Sequence, residues 1–155
     1  MVYYAAIASI VVTLALAAAG QDARASQGAE GDSFMSNKIT IRIADKVFAA
    51  TLSDSGTAAA LKKLLPLSIT MSELNGNEKF FRLPSSLPTQ ESRPSSIKSG
   101  DLMLYGSSTL VLFYKSFPTT YSYTPIGRVD DPAGLDLALG SGSVAVTLEA
   151  NSQKK

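Results

Sequence analysis

The chain has 155 residues, 45% of them hydrophobic, and a formal charge of +1 from 14 basic and 13 acidic residues; this gives room for one folded domain and no field that would gather a polyanion. Nucleic acid is thereby excluded as the expected partner. The chain has no Cys and no His, which removes disulfides, thiolate nucleophiles, Ser-His-Asp chemistry and zinc enzymology, and leaves carboxylates and lysines for any acid–base work.

From Val2 to Ala19 runs an uncharged stretch of 18 residues, followed by small-residue sites at Ala17–Ala19 and Ala23-Arg24-Ala25. Residues 1–25 are therefore expected to be a signal peptide, or an N-terminal membrane anchor, since about 18–20 apolar residues can just span a bilayer. No Lys or Arg precedes the stretch, and Gly20 stands where a lipoprotein would need Cys. The expected location is the periplasm or the extracellular space; the membrane is met only if this segment stays uncleaved. Between Gly20 and Asn37 the composition turns to Gly, Ala, Ser, Gln and acidic residues, too polar to repay the entropy of ordering. This makes 26–37 a flexible linker before a folded domain at 38–150, with 151–155 a disordered tail.

Lys38 to Ala44 alternates strictly, with Ile39, Ile41 and Ile43 on one face, and Lys46 to Leu52 continues the pattern, which predicts a β-hairpin. Asp54 or Ser55 caps a helix over about Gly56 to Leu65, stopped by Pro66. A third strand covers Leu67 to Glu73, and Asn75-Gly76 supplies the turn residues before a short fourth strand at Lys79 to Leu83. Pro84, Pro88 and Pro94 then mark a long loop. Leu102 to Tyr105 and Thr109 to Lys115 form a second hairpin, in which Leu110-Val111-Leu112-Phe113 predicts burial on both faces. Tyr123 to Val129 is a seventh strand. A short helix capped by Asp131, with Pro132 first and Gly140 past its end, precedes a last strand through Val144, Val146 and Leu148.

Half of the twelve aromatic residues lie between Gly100 and Val129, as Tyr105, Phe113, Tyr114, Phe117, Tyr121 and Tyr123. Tyr121 and Tyr123, two apart, share a face in extended chain, and Tyr114 and Lys115 stand just across an expected Phe117-Pro118 turn. Such an aromatic shelf with hydroxyl tips beside a cation suits a small polar-apolar ligand or a peptide. Glu73, Asn75, Asn77 and Glu78 cluster around the Asn-Gly turn; Glu73 and Asn75 are candidates for the same crevice, whereas Glu78 reads as a solvated charge. The spacing matches no EF-hand loop, so no metal is expected, and no cofactor. Arg128 points into the crevice or pairs with Asp130 or Asp131. Gly140-Ser141-Gly142-Ser143 follows a helix instead of opening one and has no Lys, so it is a helix stop and not a phosphate loop.

Eight short strands with one helix after the second and another before the eighth is the element order of the cyclophilin barrel. The chain more closely resembles a bacterial family of small cyclophilin-like proteins, through Met71-Ser72-Glu73-Leu74-Asn75-Gly76-Asn77-Glu78-Lys79, Gly100-Asp101, Phe113-Tyr114-Lys115-Ser116-Phe117 and Ile126-Gly127-Arg128-Val129. The resemblance implies a mainly β fold, a closed eight-stranded cyclophilin-like barrel with two short capping helices. It also implies a question about activity. A cyclophilin assists X-Pro isomerisation with an Arg on its third strand inside a Phe-His-Arg pattern, and here that strand has neither His nor Arg. The expectation is an exported domain that binds a small molecule or peptide without isomerase residues. The alternative is a peptidyl-prolyl isomerase with a rearranged site, in which Arg128 replaces the missing Arg and Phe113 or Phe117 lines a proline pocket.

Overall fold

A computed structural model of the chain describes residues 36–151. The expected signal peptide or anchor, the linker up to residue 35 and the tail from 152 lie outside the described residues.

The elements run β1 (Lys38–Ile43), β2 (Lys46–Leu52), α1 (Gly56–Lys62), β3 (Leu67–Leu74), β4 (Glu78–Arg82), β5 (Ser96–Ile97), β6 (Asp101–Tyr105), β7 (Thr109–Phe113), β8 (Phe117–Pro118), β9 (Thr124–Val129), α2 (Leu135–Leu139) and β10 (Val144–Ala150). Eight strands close an antiparallel barrel in the order β1-β10-β3-β4-β7-β6-β9-β2, and β5 pairs with β8 apart from it. The mainly β, closed eight-stranded architecture with two short helices is the one the sequence predicts. Seven strands rather than five separate the helices, the extra two being β5 and β8.

Alternation sets the register. Ile39, Ile41 and Ile43 are fully buried, each contributing roughly 1.5–3 kcal/mol by burial. A slip of one residue would carry Thr40 and Arg42 into the core instead. The Ser55 side chain caps α1 by accepting from the Ala58 N–H at 3.2 Å. This helix ends at Lys62, short of the expected Leu65, because the Leu64 and Leu65 N–H groups bond to carbonyls three residues back, a tightening turn that Pro66 cannot extend. The second helix starts later than expected. Asp131 accepts from the Ala133 N–H within a turn, and α2 begins only after Gly134, at φ 76°. Ala58 and Leu61 of α1 and Leu135 and Leu139 of α2 join the barrel interior in one apolar cluster.

The barrel has a second apolar region on its outside. Along β7, Leu110 and Leu112 belong to the interior cluster, whereas Val111 and Phe113 join Ile97, Met103 and Tyr123 in a separate one. β5 and β8 accompany that outer cluster, with Ile97 paired to Phe117 and Ser96 to Pro118. The expected Phe117-Pro118 turn is thus a short strand, in which Pro118 is tolerated because a two-residue edge needs no ladder N–H from it.

Candidate functional site

The turn between β3 and β4 divides the polar residues between two faces. Asn75 and Gly76 adopt φ 58° and 67°, left-handed values that Asn tolerates and Gly adopts freely. Beyond them the register sets Glu73 opposite Lys79 and Leu74 opposite Glu78. Because successive side chains point to opposite faces, Lys79 and Glu78 diverge.

Lys79 is fully buried. Its ammonium donates to the Glu73 carboxylate, to the Gly140 carbonyl at 2.8 Å and to the Gly142 carbonyl at 2.6 Å, so all three donors are matched. The Tyr114 hydroxyl donates to Glu73 at 2.9 Å, and its ring lies 5.5 Å from the Lys79 ammonium. Desolvation pushes the Glu73 carboxyl up, but the hydrogen bonds from Lys79, Tyr114 and the Gly76 N–H together hold it below the ordinary carboxylate value. Burial, aided by the hydrogen bond to Glu73, pushes the Tyr114 hydroxyl up to about 12. Lys115 sits 5.8 Å from the same ring. Glu73, Tyr114 and Lys115 border a cleft of about 330 Å³ with Gly140 and Ser141.

Glu78 faces the other way. It shares the outer face of β4 with Phe80, opposite Phe113 and Val111 of β7, and borders a pocket of about 380 Å³, within the usual range for small-molecule sites. Tyr105, Tyr121, Tyr123, Phe117 and Phe80 supply most of the aromatic wall. Tyr105 meets Tyr121 edge-on at 6.4 Å and Tyr123 at 5.7 Å, and Phe113 backs Tyr123 at 5.5 Å. Glu78 is only 8% exposed, and its side chain forms no hydrogen bond or ion pair with any described residue. Burial, reinforced by the negative charge of Glu73, raises its pKa. Burial and then the Glu78 charge raise that of Tyr123. Asn77 also borders the pocket, and its buried Oδ1 has no partner among the described residues.

The single crevice expected from the sequence is therefore three places. Asn75, Phe117, Tyr121 and Tyr123 meet at the outer pocket; Glu73, Tyr114 and Lys115 meet at the second cleft. Arg128 borders neither. The pairing of β9 with β6 sets it opposite Asp101, which accepts from its guanidinium at 2.8 and 2.9 Å. Of the two partners expected for it, Asp130 instead accepts from Lys38 at 2.8 Å and Thr51 at 2.5 Å, and Asp131 accepts from the Ala133 N–H. Sequence reasoning missed Glu78, Phe80 and Tyr105 as pocket residues. Beginning the fourth strand at Lys79 left Glu78 in the turn; beginning it one residue earlier puts Glu78 and Phe80 on one face.

Among the described residues no group of three or more Asp or Glu side chains is placed to hold a metal ion, and no helix is long and apolar enough to cross a membrane. The family model described as Cyclophilin-like family matches residues 41–149. The solution structure of a hypothetical protein from Archaeoglobus fulgidus is similar, with a TM-score of 0.55 at 18% identity over 76% of this chain and 96% of that one. That likeness is one of fold. No curated protein matches the chain.

Proposed function

The chain belongs to the cyclophilin-like family, and on that footing we propose that it is a binding module that holds a small ligand or a peptide side chain in the pocket outside β4, β6 and β7. The observation that carries this reading is the pocket of about 380 Å³ itself, walled by three tyrosines and two phenylalanines around a few polar groups. Ligand sites combine an apolar wall with a small number of placed polar groups in this way. Isomerase catalysis is not part of the reading. No Arg borders the pocket among the described residues, β3 has none, and Arg128 is engaged by Asp101.

The test is a titration of isotope-labelled protein with a small-molecule fragment library. Amide shifts should concentrate at Leu74, Phe80, Thr109 and Tyr121; shifts scattered over the barrel would overturn the reading. In parallel, a coupled isomerisation assay on an X-Pro peptide should run at the uncatalysed rate. Acceleration that is lost in Phe117→Ala would favour the isomerase instead.

A further inference from the structure

Glu78 is only 8% exposed as a residue, and its carboxylate opens into the pocket instead of being sealed in the protein; an anion so far withdrawn from bulk water is normally matched by a cation or by several donors. Glu78 has neither. The neighbouring cation, Lys79, is turned to the opposite face and saturated by Glu73 and two carbonyls. Beside Glu78, the buried Asn77 Oδ1 is an acceptor without a donor among the described residues. What the pocket lacks is a group rich in N–H donors.

The walls add to this. Tyr105, Tyr121 and Tyr123 present aromatic rings, whose faces attract a cation within about 6 Å of the ring centre. Tyr121 is 62% exposed at the mouth while Tyr123 is 5% exposed deeper in, so aromatic surface extends from solvent to the buried end. An anionic ligand would meet the Glu78 charge with no compensating cation. A purely apolar ligand would take water away from Glu78 and give it no donor in return.

We propose that the ligand of this pocket is an organic cation, a primary ammonium or guanidinium group on an apolar body, with Glu78 as its counter-ion and the tyrosines as its cage. This rests on the pocket being a binding site and names the chemistry it selects. The cation is either that of a free small amine or that of a Lys or Arg side chain in a peptide; both bring the same donors to Glu78.

Two probe pairs test it by amide-shift titration of the full chain. Phenethylammonium is compared with phenethyl alcohol, and N-acetyl-lysine methylamide with N-acetyl-norleucine methylamide. In at least one pair the cation should bind at the pocket about tenfold or more tighter than its neutral isostere, as a charge-assisted hydrogen bond implies. The pair with the larger preference identifies the source as free amine or peptide side chain. In Glu78→Gln the ratio of cation to neutral affinity within each pair should fall to about one. The wild-type series needs no variant, so it decides even if Glu78→Gln does not fold. Neutral probes that bind at the pocket as tightly as the cations overturn the cation inference and leave the binding module standing. Failure of all four to shift any pocket residue overturns both.

Discussion

Lys79 shows what one side chain can organise. Its ammonium has no solvent contact and joins the β3–β4 hairpin, through Glu73, to the carbonyls of Gly140 and Gly142 between α2 and β10. Removing the ammonium leaves two carbonyls unmatched and leaves Glu73, 22% exposed, with only the Tyr114 hydroxyl and the Gly76 N–H, which costs more than the pair contributes net. Lys79→Met, close in length but without charge, is expected to lower the unfolding free energy by about 3 kcal/mol. Urea unfolding measures this, and a loss below about 1 kcal/mol would show that Glu73 and the two carbonyls find water instead. The Gly140 to Ser143 segment, read from the sequence as a helix stop, therefore has a second role as an acceptor for a distant lysine. Nothing local signals that role, since it depends on where β4 lies in the barrel.

At the scale of elements, barrel closure meets a narrow tolerance between β2 and β9. Only three residue pairs register there, from Ala50 with Val129 to Leu52 with Gly127. A Cβ on Gly127 would lie 2.5 Å from the Thr51 carbonyl oxygen and 2.9 Å from the Leu52 Cα. Both obstacles are backbone, so the strands themselves must separate. Gly127→Ala is expected to destabilise by about 2 kcal/mol or more. Amide exchange should quicken at Ser53 and Asp130, whose N–H groups bond to the carbonyls of Ile126 and Ala49 beside that seam. Unchanged exchange at both would contradict this account.

Much of the element order was legible because long alternating or helical patterns record burial directly. The β1–β2 hairpin, β3, the Asn75-Gly76 turn and the two-faced β7 are examples. The strands β5 and β8 were not legible, because two residues hold no period and their pairing is fixed by distant chain. The candidate site was legible in part for a related reason. Residue type pointed to Tyr121, Tyr123 and Phe117, but which face Glu78 joins depends on a strand boundary one residue away. Arg128 was misassigned by proximity in sequence, when the cross-strand register with Asp101 decided its partner.

The whole molecule carries two opposed carboxylates, so its stability should depend on pH in a structured way. Glu73 has a lowered pKa, and its contribution is present above the ordinary carboxylate value and lost as pH falls through the lowered one. Glu78 has a raised pKa, so its charged form costs stability above the raised value, and protonation relieves that cost. A wild-type chain is thus expected to exceed Glu73→Gln in unfolding free energy at neutral pH, with the two curves converging as acid protonates Glu73. Urea unfolding at a series of pH values checks this. A gap that stays constant down to the most acid condition at which both fold would remove Glu73 ionisation as its origin.

The division of β7 into inward Leu110 and Leu112 and outward Val111 and Phe113 bears on how such a protein can change over generations. Residues that close the cylinder and residues that back the outer pocket alternate along one strand, so a substitution at one set leaves the other in place. The lining of that pocket can then change by single steps through folded intermediates. A scaffold of this kind permits relatives to keep one shape while the outer pocket diverges.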